Sequence, residues 1–420
     1  MGSSILLFLS MALPTVPKLV ILKSCLLALL LAGIGVELFR GGRARLSPRI
    51  VLWTLALTAT SFLFMVKGIW AGNPGAAEAV TVYILWPIAF TLWIAGLSED
   101  HILFTLHRVI IAATLFISLY GCLYLLTQLE IVPEIGLVSA LSLGWDAQRF
   151  SAHEGYTQMG TAGISSLPFL VPYVMASAAI QSWWTGREAL WKLSLWAACA
   201  LGWFTILAAG RRALFLVVLL TPPLILLPSL FLPAGEKSAA KRCVIKFTAV
   251  LTSAVAGLFV GLALIYEVDR HAVWEQFASG FDLSAQTPDG DALERRQQLI
   301  ALSRGWLDRP LFGAGLGASV LGSIRSENKP WGYELYYLAL LYQTGLVGFL
   351  AYAAGVMWIF WRGLAIVREG GREAHLMIPM LVGLSGMLIA NATNPYLPSF
   401  DEMWTLFLPL AVINRRPSRV

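Results

Sequence analysis

The sequence predicts an all-α polytopic membrane protein, and three observations support this fold class. Hydrophobic residues make up 58% of the chain, charged residues make up 13%, and the mean hydropathy is +0.72. Because a soluble domain carries roughly 45–50% apolar and about 25% charged residues, the composition lies far toward the membrane class. Apolar runs of about 20 residues, the length that crosses a bilayer, recur along the chain. Basic residues gather in alternate connections between these runs, as in multi-pass proteins.

Long apolar runs predict helices, because a backbone in lipid must satisfy its own hydrogen bonds. We predict about 11–12 transmembrane helices in one integral membrane domain. The predicted segments are 18–39, 49–70, 79–97, 102–127, 162–182, 189–209, 212–232, 243–266, 335–361, 374–391 and 399–414, with 4–16 as a further short helix. They divide into N-terminal transmembrane helices at 1–266, an external loop at 267–334 and C-terminal transmembrane helices at 335–420.

The basic connections predict which loops are cytoplasmic, because cytoplasmic loops carry an excess of lysine and arginine. Arginines at 40–49, 362–372 and 415–419, together with lysines and arginines at 187–192 and 237–242, alternate consistently along the chain. The net charge of +6 is therefore attributed to these loops and not to a nucleic-acid partner. The external connections are then 71–78, 128–161, 210–212, 267–334 and 392–398.

The long external loop contains one amphipathic helix, predicted at Ala292–Leu307. Its apolar residues recur at helical spacing, which suits a helix lying at the membrane surface. The predicted apolar face consists of Leu293, Leu299, Ile300, Leu302 and Trp306. The helix should end at Asp308-Arg309-Pro310, because proline cannot continue a helix.

Neither a metal nor a cofactor is expected from the sequence. The five histidines have no metal-ligand spacing. The run Gly313-Ala314-Gly315-Leu316-Gly317 is similar to a dinucleotide fingerprint, but no strand precedes it. A flexible or close-packed turn is the better interpretation of this run.

Two adjacent arginines, Arg211 and Arg212, follow Gly210 and interrupt an apolar stretch. Each costs roughly 2.5–3.5 kcal/mol at a helix centre and less near an interface. One interpretation is a tight hairpin whose arginines reach to lipid headgroups. The other is anion binding, because positive charge on the outer face opposes the usual bias and a guanidinium suits phosphate.

Arg295, Arg296 and Glu334 are further polar candidates in the external loop. Together with Arg211, the two loop arginines predict a clamp for a diphosphate, because fixed cations stabilise a departing pyrophosphate without a metal. Glu334 stands where the helix 335–361 begins, and an acidic residue is electrostatically favourable there. Its functional interpretation is a carboxylate that accepts a proton from an acceptor hydroxyl, or that orients this hydroxyl.

The spacing of these residues resembles that of the O-antigen ligase/polymerase family. Arg295 stands about fifteen residues before a Pro-Leu-Phe-Gly-x-Gly-x-Gly run that ends at Gly317. Glu334-Leu335, nine residues and then Gly345-x-x-Gly348 match a second motif, in which ligases have histidine at the position of Glu334. Gly210-Arg211-Arg212-Ala213 resembles the family's arginine at the start of a helix, and Arg149–Met159 resembles another external motif.

The resemblance implies a metal-independent glycosyltransferase of the GT-C type that uses an undecaprenyl-diphosphate-linked glycan donor. It implies the bacterial inner membrane, a site facing the periplasm, and a glycan or lipid-linked acceptor among membrane lipids, with a chain-length regulator as a further partner. Arg211, Arg295 and Glu334 would be catalytic. The residues that would bind pyrophosphate or glycan are Arg212, Arg296, Arg149 and Gly315.

Three alternatives remain open at this point. A glutamate in place of the ligase histidine favours a polymerase, yet a ligase that transfers glycan to lipid A-core has the same layout. A polysaccharide transporter or flippase would place ionisable residues at mid-membrane, often in repeated halves. A scaffold for an assembly complex would need none of the arginines.

Overall fold

The computed structural model confirms an all-α polytopic membrane protein and describes residues 1–14, 17–40, 44–97, 100–133, 136, 149–153, 156–161, 163–181, 189–265, 290–320 and 329–415. The first helices are α1 (Gly2–Ala12), α2 (Pro17–Phe39), α3 (Pro48–Trp70), α4 (Ala76–Val80), α5 (Trp86–Ala95) and α6 (Asp100–Gln128). The later helices are α7 (Leu167–Gln181), α8 (Ala189–Ala209), α9 (Arg212–Ser229), α10 (Ala234–Ile265), α11 (Gly290–Leu307), α12 (Tyr336–Glu369), α13 (Gly371–Ala390) and α14 (Trp404–Asn414).

Eight helices in the described part of the chain are long and apolar enough to cross a membrane. The other four predicted spans are also helical but are not among these eight. Helices α1 and α14 have 11 residues each, α7 has 15 and α10 has 32. At 1.5 Å per residue the three short ones reach roughly 16–22 Å, less than the ~30 Å hydrocarbon core.

A short β-hairpin lies in the predicted external connection 128–161. Strand β1 (Arg149–His153) pairs antiparallel with β2 (Tyr156–Gly160), with Arg149 opposite Gly160. The sequence analysis treated this segment as a loop and did not predict the strands. Each strand has five residues, which is too short for a periodic pattern to be distinctive.

The helices form two compact units that interleave along the chain. The first comprises Met1–Leu27, Phe104–Asp282 and Gly363–Met387, and the second comprises Ala28–Leu103, Leu283–Arg362 and Leu388–Val420. Each unit therefore draws on more than one of the segments 1–266, 267–334 and 335–420.

Buried hydrogen bonds between helices hold the first unit together. The Tyr173 hydroxyl on α7 contacts Nδ1 of His107 on α6 at 2.6 Å. The Thr205 hydroxyl on α8 donates to the Ser118 carbonyl on α6 at 3.1 Å. Such polar contacts between membrane helices are each worth about 0.6–2 kcal/mol.

The second unit is built around the glycine run, which forms the close-packed turn that the sequence analysis favoured. Gly313, Gly315 and Gly317 have φ of 58°, 94° and 73°, a region that residues with a Cβ rarely adopt. Gly345 interrupts α12 with φ 64° and ψ −172°, which bends the predicted continuous helix. The sequence analysis did not predict this break.

Each glycine of the run touches the backbone of another glycine. A Cβ added at Gly313 would lie 2.5 Å from the Gly345 nitrogen, and one at Gly315 would lie 2.6 Å from the Gly68 nitrogen on α3. A Cβ at Gly317 would overlap the backbone of Gly75, which precedes α4. Side chains at these positions would push the backbones apart.

Backbone and side-chain donors complete this turn, which we call the glycine knot (residues 313–317 with their contacts). The N–H groups of Ala314 and Gly315 donate to the carbonyls of residues 342 and 343 on α12 at 2.9 and 2.8 Å, respectively. Lys67 Nζ donates to the carbonyls of residues 312 and 313 at 2.9 and 2.8 Å. Asn73 Nδ2 contacts the carbonyl oxygens of residues 314, 315 and 316 at 3.1, 3.1 and 3.2 Å. The knot therefore joins α3, the connection to α4, and α12.

Helix α11 confirms the helix predicted at Ala292–Leu307, but its predicted apolar face is wrong in part. Leu302 is completely buried, whereas Leu293 and Ile300 are 56% and 43% exposed. The buried face of α11 carries the polar residues Gln298 and Arg295 beside Leu302. Hydrophobicity alone therefore did not identify which side of the helix is buried. Residues 267–289 and 321–328 of the predicted loop lie outside the described residues.

Gly315→Ala tests the glycine knot. The left-handed backbone costs alanine about 1–2 kcal/mol, and the overlap with α3 should add roughly 1–3 kcal/mol. We expect a clearly lower midpoint of thermal unfolding, measured by intrinsic fluorescence of the purified protein in lipid nanodiscs.

Gly72→Ala is the matched control, because Gly72 has φ 69° but no atom within 4 Å of an added Cβ. It carries the backbone strain without the overlap. Equal midpoints for the two variants would contradict the close-packed knot.

Candidate functional site

An ion pair joins α11 to the start of α12. Arg295 Nε lies 2.5 Å from Glu334 Oε2, and the two side chains are 29% and 9% exposed. A carboxylate this deeply buried needs a charged partner, because desolvation of a lone ion costs several kcal/mol. In the described residues, only Nε of the Arg295 guanidinium is engaged, so its terminal nitrogens remain as donors for an anion.

Gln298 holds the backbone of Glu334 from the same helix face. It lies three residues after Arg295, hence about one turn along α11. Its Oε1 accepts the Glu334 N–H at 2.9 Å, and its Nε2 donates to Glu294 Oε1 at 3.3 Å. Helix α11 thus fixes both the carboxylate and the main chain of Glu334.

Apolar packing beneath the ion pair holds α11 against α12. Leu302, Tyr333 and Ala339 form one buried cluster. The Tyr333 hydroxyl accepts the Val320 N–H at 2.6 Å, and burial raises the pKa of Tyr333. Tyr333 is therefore a neutral phenol with a structural role, and Glu334 is the buried carboxyl group beside it.

A cavity of about 380 Å³ lies near Glu334 in the chain, since its lining includes Tyr336, two residues later. The Tyr336 N–H donates to the Glu334 carbonyl at 2.9 Å, and the Tyr336 side chain lines the cavity wall. The remaining walls come from α3, the segment 82–87, α12 and residues between 388 and 410 of the second unit, and they are mostly aliphatic and aromatic. The volume falls in the ~300–1,000 Å³ range of small-molecule sites.

Tyrosine hydroxyls supply the polar groups in this cavity. Those of Tyr83 and Tyr336 lie 3.2 Å apart. The Tyr352 and Ser61 hydroxyls lie 2.7 Å apart, and since Ser61 donates to a carbonyl on α3, Tyr352 is the donor. The Tyr337 hydroxyl donates to the Leu388 carbonyl at 2.6 Å. An apolar chain with a polar end fits such a lining.

Arg211 and Arg212 lie in the first unit, in a tight connection between α8 and α9. Gly210 has φ 60° and ends α8, and Arg211 is the residue before the first turn of α9. Both arginines are partly buried. The hairpin geometry agrees with the first interpretation of these residues, and an anion-binding role for Arg211 and Arg212 stays a prediction.

Three other predicted binding residues have different surroundings. Arg296 is exposed, and one residue along a helix turns a side chain by about 100°, away from the partner of Arg295. The Gly315 N–H is engaged by the Gln343 carbonyl, so it is not available to a phosphate. Arg149 opens β1, but its side chain lies outside the described residues.

The sequence analysis missed Gln298 and the tyrosines at 336 and 337. Gln298 stands one turn from Arg295 on the predicted helix, and its position was the available signal. The tyrosines directly follow Glu334-Leu335. Their role depends on Tyr83 and Tyr352, which only the fold brings near them.

The chain matches no family model and no curated protein.

A double-mutant cycle measures the central ion pair. We expect Arg295→Ala and Glu334→Ala to be non-additive, with a coupling energy of about 0.5–3 kcal/mol, because each removes one side of the same partly buried charge pair. The measurement is the shift in thermal unfolding of both single variants and the double variant.

The exposed pair Lys329–Glu78, whose charged atoms lie 2.8 Å apart in the same unit, provides the matched control cycle. Its coupling should be only about 0.2–1 kcal/mol, because water screens it. A coupling at Arg295–Glu334 no larger than this would contradict the described geometry.

Proposed function

We propose that the protein is a membrane glycosyltransferase that polymerises undecaprenyl-diphosphate-linked oligosaccharide at the periplasmic face of the bacterial inner membrane. The observation that carries the proposal is the buried Arg295–Glu334 pair, which lies two residues along the chain from Tyr336 in the lining of a mostly apolar cavity. The spacing of Arg295, the glycine run and Glu334, which resembles the O-antigen ligase/polymerase family, supplies the reaction class.

The pair combines the two groups that a metal-independent glycosyl transfer needs. The acceptor hydroxyl oxygen attacks the anomeric carbon of the donor sugar, and its proton passes to the Glu334 carboxylate. The bond between that carbon and the diphosphate oxygen breaks, and its electron pair leaves with the diphosphate. The terminal nitrogens of Arg295 stabilise this growing negative charge.

The ion pair also suits a reaction in which the negative charge near Arg295 changes between substrate binding and bond cleavage. Before substrate arrives, Arg295 compensates the buried carboxylate. When a diphosphate binds, the guanidinium has further donors for its oxygens, since arginine carries five N–H groups. Proton transfer to Glu334 then weakens its hold on Arg295 at the moment when the leaving group gains charge.

Arg211 enters the proposal on the sequence alone, as a candidate cation for diphosphate binding. Arg212 and Arg149 are weaker candidates for contacts with the glycan, whereas Arg296 faces away from Glu334. The cavity accommodates the lipid portion next to the carrier's diphosphate, with tyrosine hydroxyls toward its polar end.

Gene deletion with complementation tests the function. Wild type should restore a ladder of long surface polysaccharide on a gel, whereas Glu334→Ala and Arg295→Ala should leave single repeats on the lipid carrier. Loss of one group that acts on the transition state costs about 10²–10³ in rate, which is enough to abolish the ladder.

Lys329→Ala is the basic control, because Lys329 is exposed and lies five residues before Glu334. It should restore the ladder. Polymer stranded on the carrier in the deletion strain would identify a ligase instead. Unchanged long chains in both Arg211→Ala and Arg295→Ala would end the proposal.

A bulky residue in the cavity tests its occupant. Ala353 lines the cavity on α12, so Ala353→Trp should fill part of it and raise the KM for the lipid-linked repeat more than it lowers kcat. Initial rates at several repeat concentrations, with purified protein in nanodiscs, give both constants.

Ala354→Trp is the matched control, because Ala354 is exposed on the same helix and does not line the cavity. The control should leave KM unchanged. An equal effect of both tryptophans on KM would contradict a role for the cavity in substrate binding.

A further inference from the structure

Helix α11 has a second apolar face, opposite the one that holds Glu334. Leu293, Ile300 and Leu307 are 56%, 43% and 65% exposed. They are seven residues apart, about two helical turns, so they form one line along the helix. Gln298 and Leu302, on the opposite side, are 1% and 0% exposed. We call the line of Leu293, Ile300 and Leu307 the apolar stripe.

Arginines border the apolar stripe on both sides. Arg296 precedes Ile300 by four residues, and Arg304 follows it by four. At about 100° per residue they lie roughly 40° to either side of the stripe. Both are exposed. An apolar centre with basic borders is typical of helices that lie in a membrane interface.

This face of α11 has no acidic residue. The residues within about 60° of Ile300 are Leu293, Arg296, Gln297, Ile300, Ser303, Arg304 and Leu307. Their net positive charge complements anionic lipid headgroups, which attract nearby lysines and arginines by about 1 kcal/mol each.

The turn after α11 extends the stripe to a membrane-spanning helix. Leu311 and Phe312 are each 56% exposed. The Val347 N–H donates to the Leu311 carbonyl at 3.1 Å. Leu346 and Val347 are 41% and 46% exposed on α12, so the stripe meets that helix where its own surface is apolar and uncovered.

The same turn also contacts the end of α3. Lys67 Nζ donates to the Phe312 carbonyl and lies 6.0 Å from the centre of its ring. Three residues later, Trp70 ends α3 with 87% of its surface exposed. Tryptophan and lysine are both favoured at the interface between lipid and water. The residues next to the stripe thus have the composition that is typical of headgroup level.

We propose that α11 is an interfacial membrane anchor whose apolar stripe inserts among the lipids, with Arg296 and Arg304 on the headgroup phosphates. The stripe extends about 21 Å, from Leu293 to Leu307. Because the inward face of the same helix carries Arg295, this insertion sets the Arg295–Glu334 pair at the depth of a lipid-linked diphosphate. The anchor itself does not depend on the proposed activity.

Nitroxide depth measurements test the anchor in the full chain. A cysteine-free background is made by replacing Cys25, Cys122, Cys199 and Cys243, which are all free thiols. Spin labels are placed at Leu293→Cys, Ile300→Cys and Leu307→Cys in vesicles of phosphatidylethanolamine and phosphatidylglycerol. Collision rates with oxygen, which concentrates in lipid, and with a water-soluble nickel complex report depth.

Two exposed positions of the same unit calibrate the measurement. Leu52→Cys, 67% exposed within α3, represents lipid, and Lys329→Cys, 62% exposed at its side chain, represents water. The stripe labels should read a depth between these controls, about 5–10 Å into the boundary of headgroups and acyl chains.

Nickel accessibility equal to that of Lys329→Cys would overturn the anchor, because α11 would then lie in water. Protection from both reagents would also overturn it, because protein would then cover the stripe. Reversal of both border arginines to glutamate should shift the Ile300 label toward water, and more so as the phosphatidylglycerol content rises. A depth that is independent of these charges would overturn the role of the arginines.

Discussion

The glycine knot is the constraint on which the second unit depends. Three glycines with left-handed backbones touch the backbones of Gly345, Gly68 and Gly75, at distances that leave no space for a Cβ. The knot joins the end of α3 to the break in α12. Lys67 donates to the carbonyls of residues 312 and 313, and Asn73 contacts those of residues 314 to 316. Close contact and hydrogen bonding thus join α3, the connection to α4, and α12 at one point.

Helix α11 positions the candidate site, because it packs against the start of α12 and is followed directly by the turn that forms the glycine knot. Leu302 packs with Tyr333 and Ala339, and above them Arg295 and Gln298 hold the side chain and main chain of Glu334. A buried ion pair contributes little net stability, because the Coulombic gain is offset by desolvation. Its role here is to hold a carboxylate and a guanidinium in defined positions near an apolar cavity.

Helix geometry gives two adjacent arginines on α11 different surroundings. Arg295 and Arg296 are neighbours in the sequence and were predicted to act together. On the helix they differ by about 100° in direction, so one meets Glu334 while the other borders the apolar stripe. The same helix therefore presents a charged site on one face and a lipid-compatible surface on the other.

The sequence by itself determined the fold class, the location of most helices and the end of α11 before Pro310. These features follow from local composition, because lipid compels long apolar runs to be helical and proline stops a helix. It also indicated Arg295 and Glu334 as candidates, but not that they touch. The tertiary structure alone decided which face of α11 is buried, the break at Gly345 and the glycine partners. It also decided the tyrosine-lined cavity. All of these features depend on contacts between residues far apart in the chain, which the periodicity of a sequence does not encode.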